Sequence, residues 1–328
     1  MFWSDSSLLE GGIKTNNPRG RSTRGFHLLG CIADRSRINE RSEVILALGC
    51  IADRSRINER SEVILALGCI ADRSRINKKK DKFAKLLQHP YNTMRIWKTK
   101  EGSKIVQVLK GRSNSYIIVK ECSVILIDTG KKSAFKLLTW NMQSNNIKLK
   151  DISTLILTHT HYDHCQSAKQ IKSISNCNII VSDSAAESIK NGYSKLPYGT
   201  SLPTKILSAL GNIIGKQKFG YDIFKPDTFV KGNYDLLSGR GNIKIIETKG
   251  HSPDSISVIV DNEIAIVGDA MFGVFPNSIF PPFSDDTSRM VESWGKLLQT
   301  NCRIFLPGHG KELRRNRLEE QYFKHCLK

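Results

Sequence analysis

Five histidines lie where strands are predicted to end, in polar or glycine-rich turns, and this placement is typical of metal sites. The rigid sheet behind such turns fixes their backbones, so ligands presented there keep a constant geometry. One histidine of this kind would indicate little, because isolated histidines are more often structural. Together they predict a metal centre, and they are His159, His161, His164, His251 and His309.

The densest part of this set is the run from His159 to His164, which is His-Thr-His-Tyr-Asp-His. Imidazole nitrogens and carboxylate oxygens are good ligands for a borderline cation such as zinc. In an extended segment residues two apart share a side, so we expect His159 and His161 to hold one ion. A turn after them would direct Asp163 and His164 toward a second ion. The comparably placed candidates for the remaining ligands are His251, Asp269 and His309.

Short apolar stretches flank these turns and predict the elements that position them. Strands are expected over residues 104–109, 116–119, 124–128, 154–157, 178–182, 243–248, 256–260, 264–267 and 303–306. The spacing of apolar residues predicts helices over 131–142, 166–174, 185–191 and 287–299. Residues 193–234 are expected to form a less regular insert. The alternation of strands and helices predicts a layered α/β fold.

The sequence resembles the metallo-β-lactamase superfamily of metallohydrolases, whose signature is His-x-His-x-Asp-His followed in order by single His, Asp and His ligands. The matching motifs occupy residues 127–130, 159–164, 249–255, 267–269 and 307–310. The resemblance implies a four-layer αββα sandwich with two mixed β-sheets and a site at one edge between them.

The resemblance also implies a role for each candidate ligand. Two ions are expected, with His159, His161 and His251 on the first, Asp163, His164 and His309 on the second, and Asp269 bridging them. We expect two zinc ions, with iron or manganese as alternatives that accept the same ligands. Such a pair would acidify a bridging water and polarise the substrate. Asp163 would also act catalytically by orienting the hydroxide or shuttling its proton, whereas Asp128 would brace the ligand loop without binding metal.

Several reactions are compatible with this ligand set. Our first hypothesis is hydrolysis of an ester, thioester or lactone by a metal-bridging hydroxide, as the resemblance to glyoxalase II and the lactonases implies. Asp269 at the bridging position speaks against the β-lactamases that use a thiolate there. The alternatives are phosphodiesterase or nuclease activity on an anionic substrate, and a mononuclear iron dioxygenase on the same fold. His161 weighs against the flavodiiron branch, which resembles this pattern but has Glu there. A non-catalytic binding module is the last alternative, and the complete ligand set disfavours it.

Substrate selection is expected from residues 193–234 and 272–286, the irregular segments that flank the ligand strands. Their aromatic side chains could line a pocket or fill the core, since both uses look alike in a sequence. They are Tyr193, Tyr198, Phe219, Tyr221, Phe224, Phe272, Phe275, Phe280 and Phe283. Cys165, next to a ligand, is expected to be a buried helical thiol.

The amino-terminal part carries a tandem repeat. Residues 29–47 recur without change at 48–66, and a partial copy follows at 67–77. Folded repeat arrays let surface positions vary, whereas here even the arginines and serines are identical, which indicates recent DNA duplication. We predict that residues 1–93 are a non-catalytic extension, disordered or translated from upstream DNA, and that residues 94–328 form the hydrolase domain. An arginine-rich interaction tail is the alternative.

The chain is strongly basic, with a formal net charge of +19. Residues 94–328 contain 33 Lys and Arg against 21 Asp and Glu, a charge of +12. This charge favours anionic partners, but no nucleic-acid motif accompanies it, so we expect a small-molecule substrate rather than nucleic acid. The chain lacks both an apolar run of roughly 18 residues and a signal-peptide core. We therefore expect no membrane partner and a cytoplasmic location.

Overall fold

The structure is a computed structural model that describes residues 94–237 and 242–326. The tandem repeat lies outside these residues, and so the predicted extension over 1–93 and its boundary at residue 94 stay predictions. Within the described ranges, no helix has the length and apolarity needed to cross a membrane.

The first sheet contains seven strands side by side in chain order. They are β1 (Ile96–Lys98), β2 (Lys104–Leu109), β3 (Ser115–Lys120), β4 (Ser123–Ile127), β5 (Thr154–Ile156), β6 (Asn178–Ser182) and β7 (Thr228–Val230). Strands β1 to β4 are antiparallel neighbours, and β4 to β7 are parallel. Parallel neighbours require long crossover connections, and these carry most of the helices. The helices are α1 (Phe135–Gln143), α2 (Tyr162–Cys165), α3 (Ala168–Ser175), α4 (Ala186–Asn191), α5 (Leu202–Ile214) and α6 (Lys216–Phe219).

The second sheet is formed by the carboxy-terminal half of the described chain, in the order β13-β12-β11-β10-β9-β8. Its strands are β8 (Tyr234–Leu237), β9 (Ile243–Glu247), β10 (Ile256–Val260), β11 (Ile264–Gly268), β12 (Ile304–Pro307) and β13 (Leu313–Arg314). Only β11 and β12 are parallel neighbours; between them the chain forms α7 (Thr287–Leu298). Helix α8 (Arg315–Cys326) follows β13.

The two sheets pack face to face, and helices cover their outer faces. Along β3, Tyr116 and Ile118 point toward the second sheet, whereas Ile117 between them contacts the helical layer. Trp294 of α7 is buried against the outer face of the second sheet. Because the strands are buried on both faces, they are nearly continuous apolar runs rather than alternating ones. The arrangement is the four-layer αββα sandwich with two mixed sheets that the sequence predicted.

The sequence-based elements agree with the structure except in the insert, at the edge strands of both sheets and at the carboxy-terminal helix. The strands and helices expected around the ligand turns are present, with ends that differ by a few residues. The expectation of an irregular segment over 193–234 was wrong, because it contains the thirteen-residue helix α5. The sequence does contain a signal for the start of this helix, because Ser201 forms a capping box and Pro203 lies in the first turn. Strands β1, β7, β8 and β13 and helix α8 were also missed, and the strands are too short to show a period.

Replacing Ile118 by Ala tests the interface between the sheets. Ile118 is fully buried there, so the lost methyl groups should leave a cavity and lower the free energy of unfolding by about 2–5 kcal/mol. Urea denaturation measures this change. Ile174→Ala, at an exposed position of α3, is the control and should change stability by less than about 0.5 kcal/mol. Equal effects of the two substitutions would contradict the layered packing.

Candidate metal centre

The predicted ligands follow strands that end at the same edge of the sandwich. Strands β9 and β11 are both antiparallel to β10, and β12 is parallel to β11, so all three point the same way. His251, Asp269 and His309 come after β9, β11 and β12 respectively. In the first sheet, the run 159–164 follows β5, next to the end of the parallel strand β4. Strand direction therefore brings distant parts of the chain to one place.

Hydrogen bonds between the two sheets fix them at this edge. The backbone N–H of Ile256, at the start of β10, donates to the carbonyl of Thr158 at 2.8 Å. The backbone N–H of Asn114 donates to the carbonyl of Gly308 at 2.6 Å, and the Tyr116 hydroxyl donates to the Pro307 carbonyl at 2.8 Å. The turns that carry the ligands are thus tied to each other as well as to their own strands.

All seven predicted residues meet in one cluster. Three overlapping groups have donor atoms within 4.8 Å of one another: His159, His161 and His251; His159, His164 and Asp269; and Asp163, His164 and His309. The first and last of these groups are the two ligand sets that the resemblance implied. Asp269 lies between them, with its Oδ2 atom 3.5 Å from His251 Nε2 and 3.3 Å from His309 Nε2.

The spacing of the donor atoms fits a divalent cation. Nitrogen and oxygen ligands at about 2.0–2.1 Å from a tetrahedral ion lie about 3.4 Å from each other. In the cluster, His161 Nδ1 is 3.0 Å from His251 Nε2, and His309 Nε2 is 3.7 Å from an Asp163 oxygen. The buried atoms His159 Nε2 and Asp269 Oδ1 make no hydrogen bond to any described residue. Buried polar atoms without a partner are rare, and a bound cation would satisfy both.

Gly308 keeps the centre of the cluster open. A Cβ at this position would collide with Asp269 Oδ1 and would lie 2.7 Å from His164 Cε1. Because any side chain here would fill the space that the ligand atoms face, the Pro-Gly-His-Gly turn requires glycine before the last ligand. The cradle, the spacing and the two unpartnered atoms together imply that this site binds divalent metal.

Asp128 braces the ligand loop at both ends, as predicted. Its carboxylate accepts hydrogen bonds from the Thr158 backbone N–H and hydroxyl, both at 2.8 Å, and from His164 Nδ1 at 2.8 Å. The residue follows β4 with a positive φ of 58°, a conformation that Asp tolerates better than most residues. This backbone conformation places the carboxylate under the loop, where it is 2% exposed.

Hydrogen bonds to Nδ1 determine which ring nitrogen His159 and His251 direct toward the centre of the cluster. The Thr158 hydroxyl donates to Asp128, so its oxygen accepts from His159 Nδ1 at 3.1 Å. His251 Nδ1 donates to the Phe283 carbonyl at 2.9 Å. In both rings the proton is therefore on Nδ1, which leaves the Nε2 lone pair free for a metal.

Burial keeps three of the imidazoles neutral. Desolvation lowers the pKa of His159 well below its ordinary value and also lowers the pKa of His161. The same cause lowers the pKa of His251 to about 4, although Asp269 opposes it. Neutral imidazole is the form that binds metal.

Charge interactions dominate on the other side of the cluster. Desolvation would raise the pKa of Asp269, but His309 and His164 outweigh it and hold this pKa well below the usual range. Desolvation would lower the pKa of His164, but Asp269 and Asp128 outweigh it and raise this pKa well above the ordinary value. Asp269 is thus a buried carboxylate that the neighbouring histidines stabilise.

Asp254 is a bracing residue that the sequence analysis missed. Its carboxylate accepts from the backbone N–H of Thr160 at 2.8 Å, from the Thr160 hydroxyl at 2.6 Å and from the Ser252 hydroxyl at 2.7 Å. Thr160 stands between His159 and His161, and Ser252 follows His251. Asp254 therefore locks together two of the turns that present ligands. Its position three residues after His251, inside the quoted motif, was the available signal.

A family model described as the metallo-beta-lactamase superfamily matches residues 109–309. The chain belongs to the metallo-β-lactamase superfamily. A probable metallo-hydrolase of Methanocaldococcus jannaschii is 34% identical over 209 residues, which cover 61% of this chain and 88% of the relative. A hydroxyacylglutathione hydrolase of Glaesserella parasuis is 25% identical, over 48% of this chain and 49% of its own length. A solved metallo-beta-lactamase family protein of Thermus thermophilus shares the fold, with a TM-score of 0.51 at 17% identity over 68% of this chain and 79% of its own.

The aromatic side chains of the two irregular segments divide between contacts at the candidate metal centre and burial in the core. Phe272 stacks on His309 with ring centroids 4.6 Å apart, and Phe219 packs on Tyr162 at 4.9 Å. Tyr221 and Phe224 are instead buried in the core under the first sheet. The predicted pocket lining is therefore divided between the site and the core. Cys165 is a fully buried thiol in α2, as expected, and burial raises its pKa well above the ordinary value.

Replacing Asp254 by Asn tests the bracing role. The variant keeps the size of the side chain but removes its charge, so the turns around Thr160 should loosen and zinc affinity should fall about 10–100-fold. Competition with a chromophoric chelator measures the affinity, and circular dichroism should show an unchanged fold. Asp222→Asn, which removes an exposed ion pair with Lys132, is the matched control. Equal zinc affinity in both variants would contradict the role.

Proposed function

We propose that this chain is a dinuclear metal-dependent hydrolase that acts on an ester, thioester or lactone. The observation that carries the proposal is the position of Asp269, whose carboxylate lies between two separate sets of metal-binding side chains. We infer that His159, His161 and His251 would hold one zinc and that Asp163, His164 and His309 would hold the other, with Asp269 as a ligand available to both. A metal pair of this kind supplies Lewis acidity and makes water a nucleophile near neutral pH.

Asp163 has the position of a proton acceptor in this reaction. Its carboxylate is part of the outer ligand set, yet its side chain is 17% exposed, more than those of Asp269 and His251. The Ser113 hydroxyl donates to the backbone carbonyl of Asp163 at 2.6 Å, which fixes the backbone of this residue. We infer that Asp163 orients the attacking water, accepts its proton and passes it to the leaving alcohol or thiol.

One relative favours acyl substrates, and the residue at position 269 speaks against a thiolate-type β-lactamase. With a carboxylate at position 269, all the candidate ligand atoms are nitrogen or oxygen, and the site lacks the thiolate of the β-lactamases considered above. The relative from Glaesserella parasuis is a hydroxyacylglutathione hydrolase by name. We extend that kind of hydrolysis to this chain and propose a small-molecule substrate in the cytoplasm.

A phosphodiester substrate is the second candidate, because Lys131 lies on the ring of Tyr162, the residue before Asp163. Lys131 Nζ is 3.0 Å from the Tyr162 hydroxyl and 4.5 Å from the centre of its ring. Burial lowers the pKa of Lys131, and the charges of Arg112 and Lys218 lower it further against the opposing effect of Asp163. Several positive charges next to Asp163 would attract an anionic substrate.

Substitution of a bridging or terminal ligand tests the proposed centre. Asp269→Ala and His161→Ala should each remove metal and lower thioester hydrolysis by more than about a hundredfold, because the acidity of water depends on the ions. Bound metal and hydrolysis rate are measured on the same samples. His325→Ala is the control, since this histidine packs near Trp294, away from the cluster. Hydrolysis that survives the loss of Asp269 would refute the assignment.

Metal analysis and a substrate panel separate the three reactions. Two zinc ions per chain with hydrolysis of thioesters or lactones are the expected result, and a higher rate on a bis-aryl phosphodiester would favour the second candidate. One iron per chain with oxygen consumption would indicate a dioxygenase and overturn the hydrolytic proposal.

A further inference from the structure

Helix α5 has its polar face toward the protein and its apolar face toward solvent. Its buried positions are Ser208 and Gly211. The Ser208 hydroxyl donates to the Pro197 carbonyl at 2.6 Å, and the Asn212 amide donates to the Leu196 carbonyl at 3.0 Å. A surface helix usually has the opposite orientation, with its apolar stripe in the core. The packing of α5 therefore leaves its apolar side without a place in the described fold.

The apolar residues of this helix form a continuous exposed surface, which we call the α5 face. It consists of Leu202, Ile206, Leu207, Leu210, Ile213 and Ile214. Ile213 is 81% exposed and Leu202 is 72% exposed, and Tyr198, before the helix, is 74% exposed. Contiguous apolar surface of this kind marks a contact site for another apolar body.

Lysine is the charged residue type of the segment that carries the α5 face, and beside this segment an Asp285 oxygen accepts from the Tyr198 backbone N–H at 3.3 Å. Residues 188–221 contain no Asp or Glu, and their lysines are Lys190, Lys195, Lys205, Lys216 and Lys218. All five are exposed. An apolar helix face bordered by lysines is the pattern of segments that lie on anionic lipid surfaces, where the apolar side enters the bilayer and the ammonium groups meet the headgroups.

The segment that carries this face is fastened to the turns around the metal centre. Before α5, the Tyr198 carbonyl accepts from the Ser284 N–H at 2.8 Å, and the Thr200 N–H donates to the Pro282 carbonyl at 3.0 Å. Phe283, between these two, supplies the carbonyl that holds His251. After α5, Phe219 packs on Tyr162. The segment that carries the α5 face is therefore joined to the turn that positions His251.

We propose that the α5 face is a docking surface for anionic lipid membranes. The charge pattern decides against a second copy of the chain, because a twofold contact through this face would bring two acid-free, lysine-rich segments together. The expectation of no membrane partner rested on the absence of a spanning run, and a helix that lies on a membrane needs no such run. The proposal goes beyond the proposed hydrolysis and does not depend on it.

Vesicle sedimentation with the full chain tests the proposal. The protein should sediment with vesicles of equal parts phosphatidylcholine and phosphatidylglycerol, and binding to phosphatidylcholine alone should be weaker by about tenfold or more. Raised salt should weaken binding to the anionic vesicles. Ile206→Glu combined with Ile213→Glu should reduce this binding by about tenfold or more, since two charges would enter the apolar contact.

The matched control places the same two charges elsewhere. Ile174→Glu combined with Phe323→Glu alters exposed apolar positions outside the insert and should bind like the parent protein.

The contribution of the lysines is tested separately. Lys205→Gln with Lys216→Gln should weaken binding to the anionic vesicles, whereas Lys150→Gln with Lys169→Gln should have little effect. Thermal unfolding of each variant confirms that it is folded.

Three results would overturn the docking surface. One is equal binding to vesicles of both compositions, and another is unchanged binding by the variant with Glu at 206 and 213, which would place any lipid contact elsewhere in the chain. The third is absence of vesicle binding together with a dimer, seen by light scattering, that the same variant dissociates; this would assign the face to a second copy. Because the readout is binding, failure of the hydrolytic proposal would leave these results unaffected.

Discussion

Lone pairs that face one another in a buried space are the constraint on which the site depends. Imidazole nitrogens and carboxylate oxygens approach to between 3.0 and 3.9 Å, and His159 Nε2 has no hydrogen-bond partner among the described residues. Such an arrangement is unfavourable without a cation, because each buried acceptor has lost its water. The surrounding fold must therefore hold these atoms in a space from which water is excluded.

Two carboxylates and the direction of the strands provide this rigidity. Asp128 holds the ligand loop through hydrogen bonds from Thr158 and His164, at its two ends. Asp254 holds the same loop through hydrogen bonds from Thr160, which lies between His159 and His161. Neither carboxylate is needed as a ligand, and both are almost fully buried. The strands bring the turns to one edge, and the carboxylates then fix the orientation of the rings. The orientation of the candidate ligands thus rests on groups behind them.

The sequence predicted a layered α/β fold and the ligand cluster because both depend on local patterns, and the four-layer sandwich was implied by the family resemblance. The strands of both sheets are apolar runs bounded by turn residues, and His159 to His164 form a contiguous motif. Asp254 was missed because its partner, Thr160, is 94 residues away along the chain. Helix α5 was missed although its apolar spacing is regular, because its apolar residues lie in a segment rich in Gly, Ser and Lys and do not join a core. Tertiary contacts decide such features, and a single sequence does not display them.

The ligands come from both halves of the described chain, and this has a consequence for the protein in the cell. His161 and His251 are 90 residues apart in sequence, yet their ring nitrogens are 3.0 Å apart. An ion held between them would act as a cross-link that closes a long loop, so metal binding would add to folding stability. When metal is scarce, more of the newly made protein would remain unfolded and be degraded. Metal supply would then set how much of the protein accumulates as well as how fast it works.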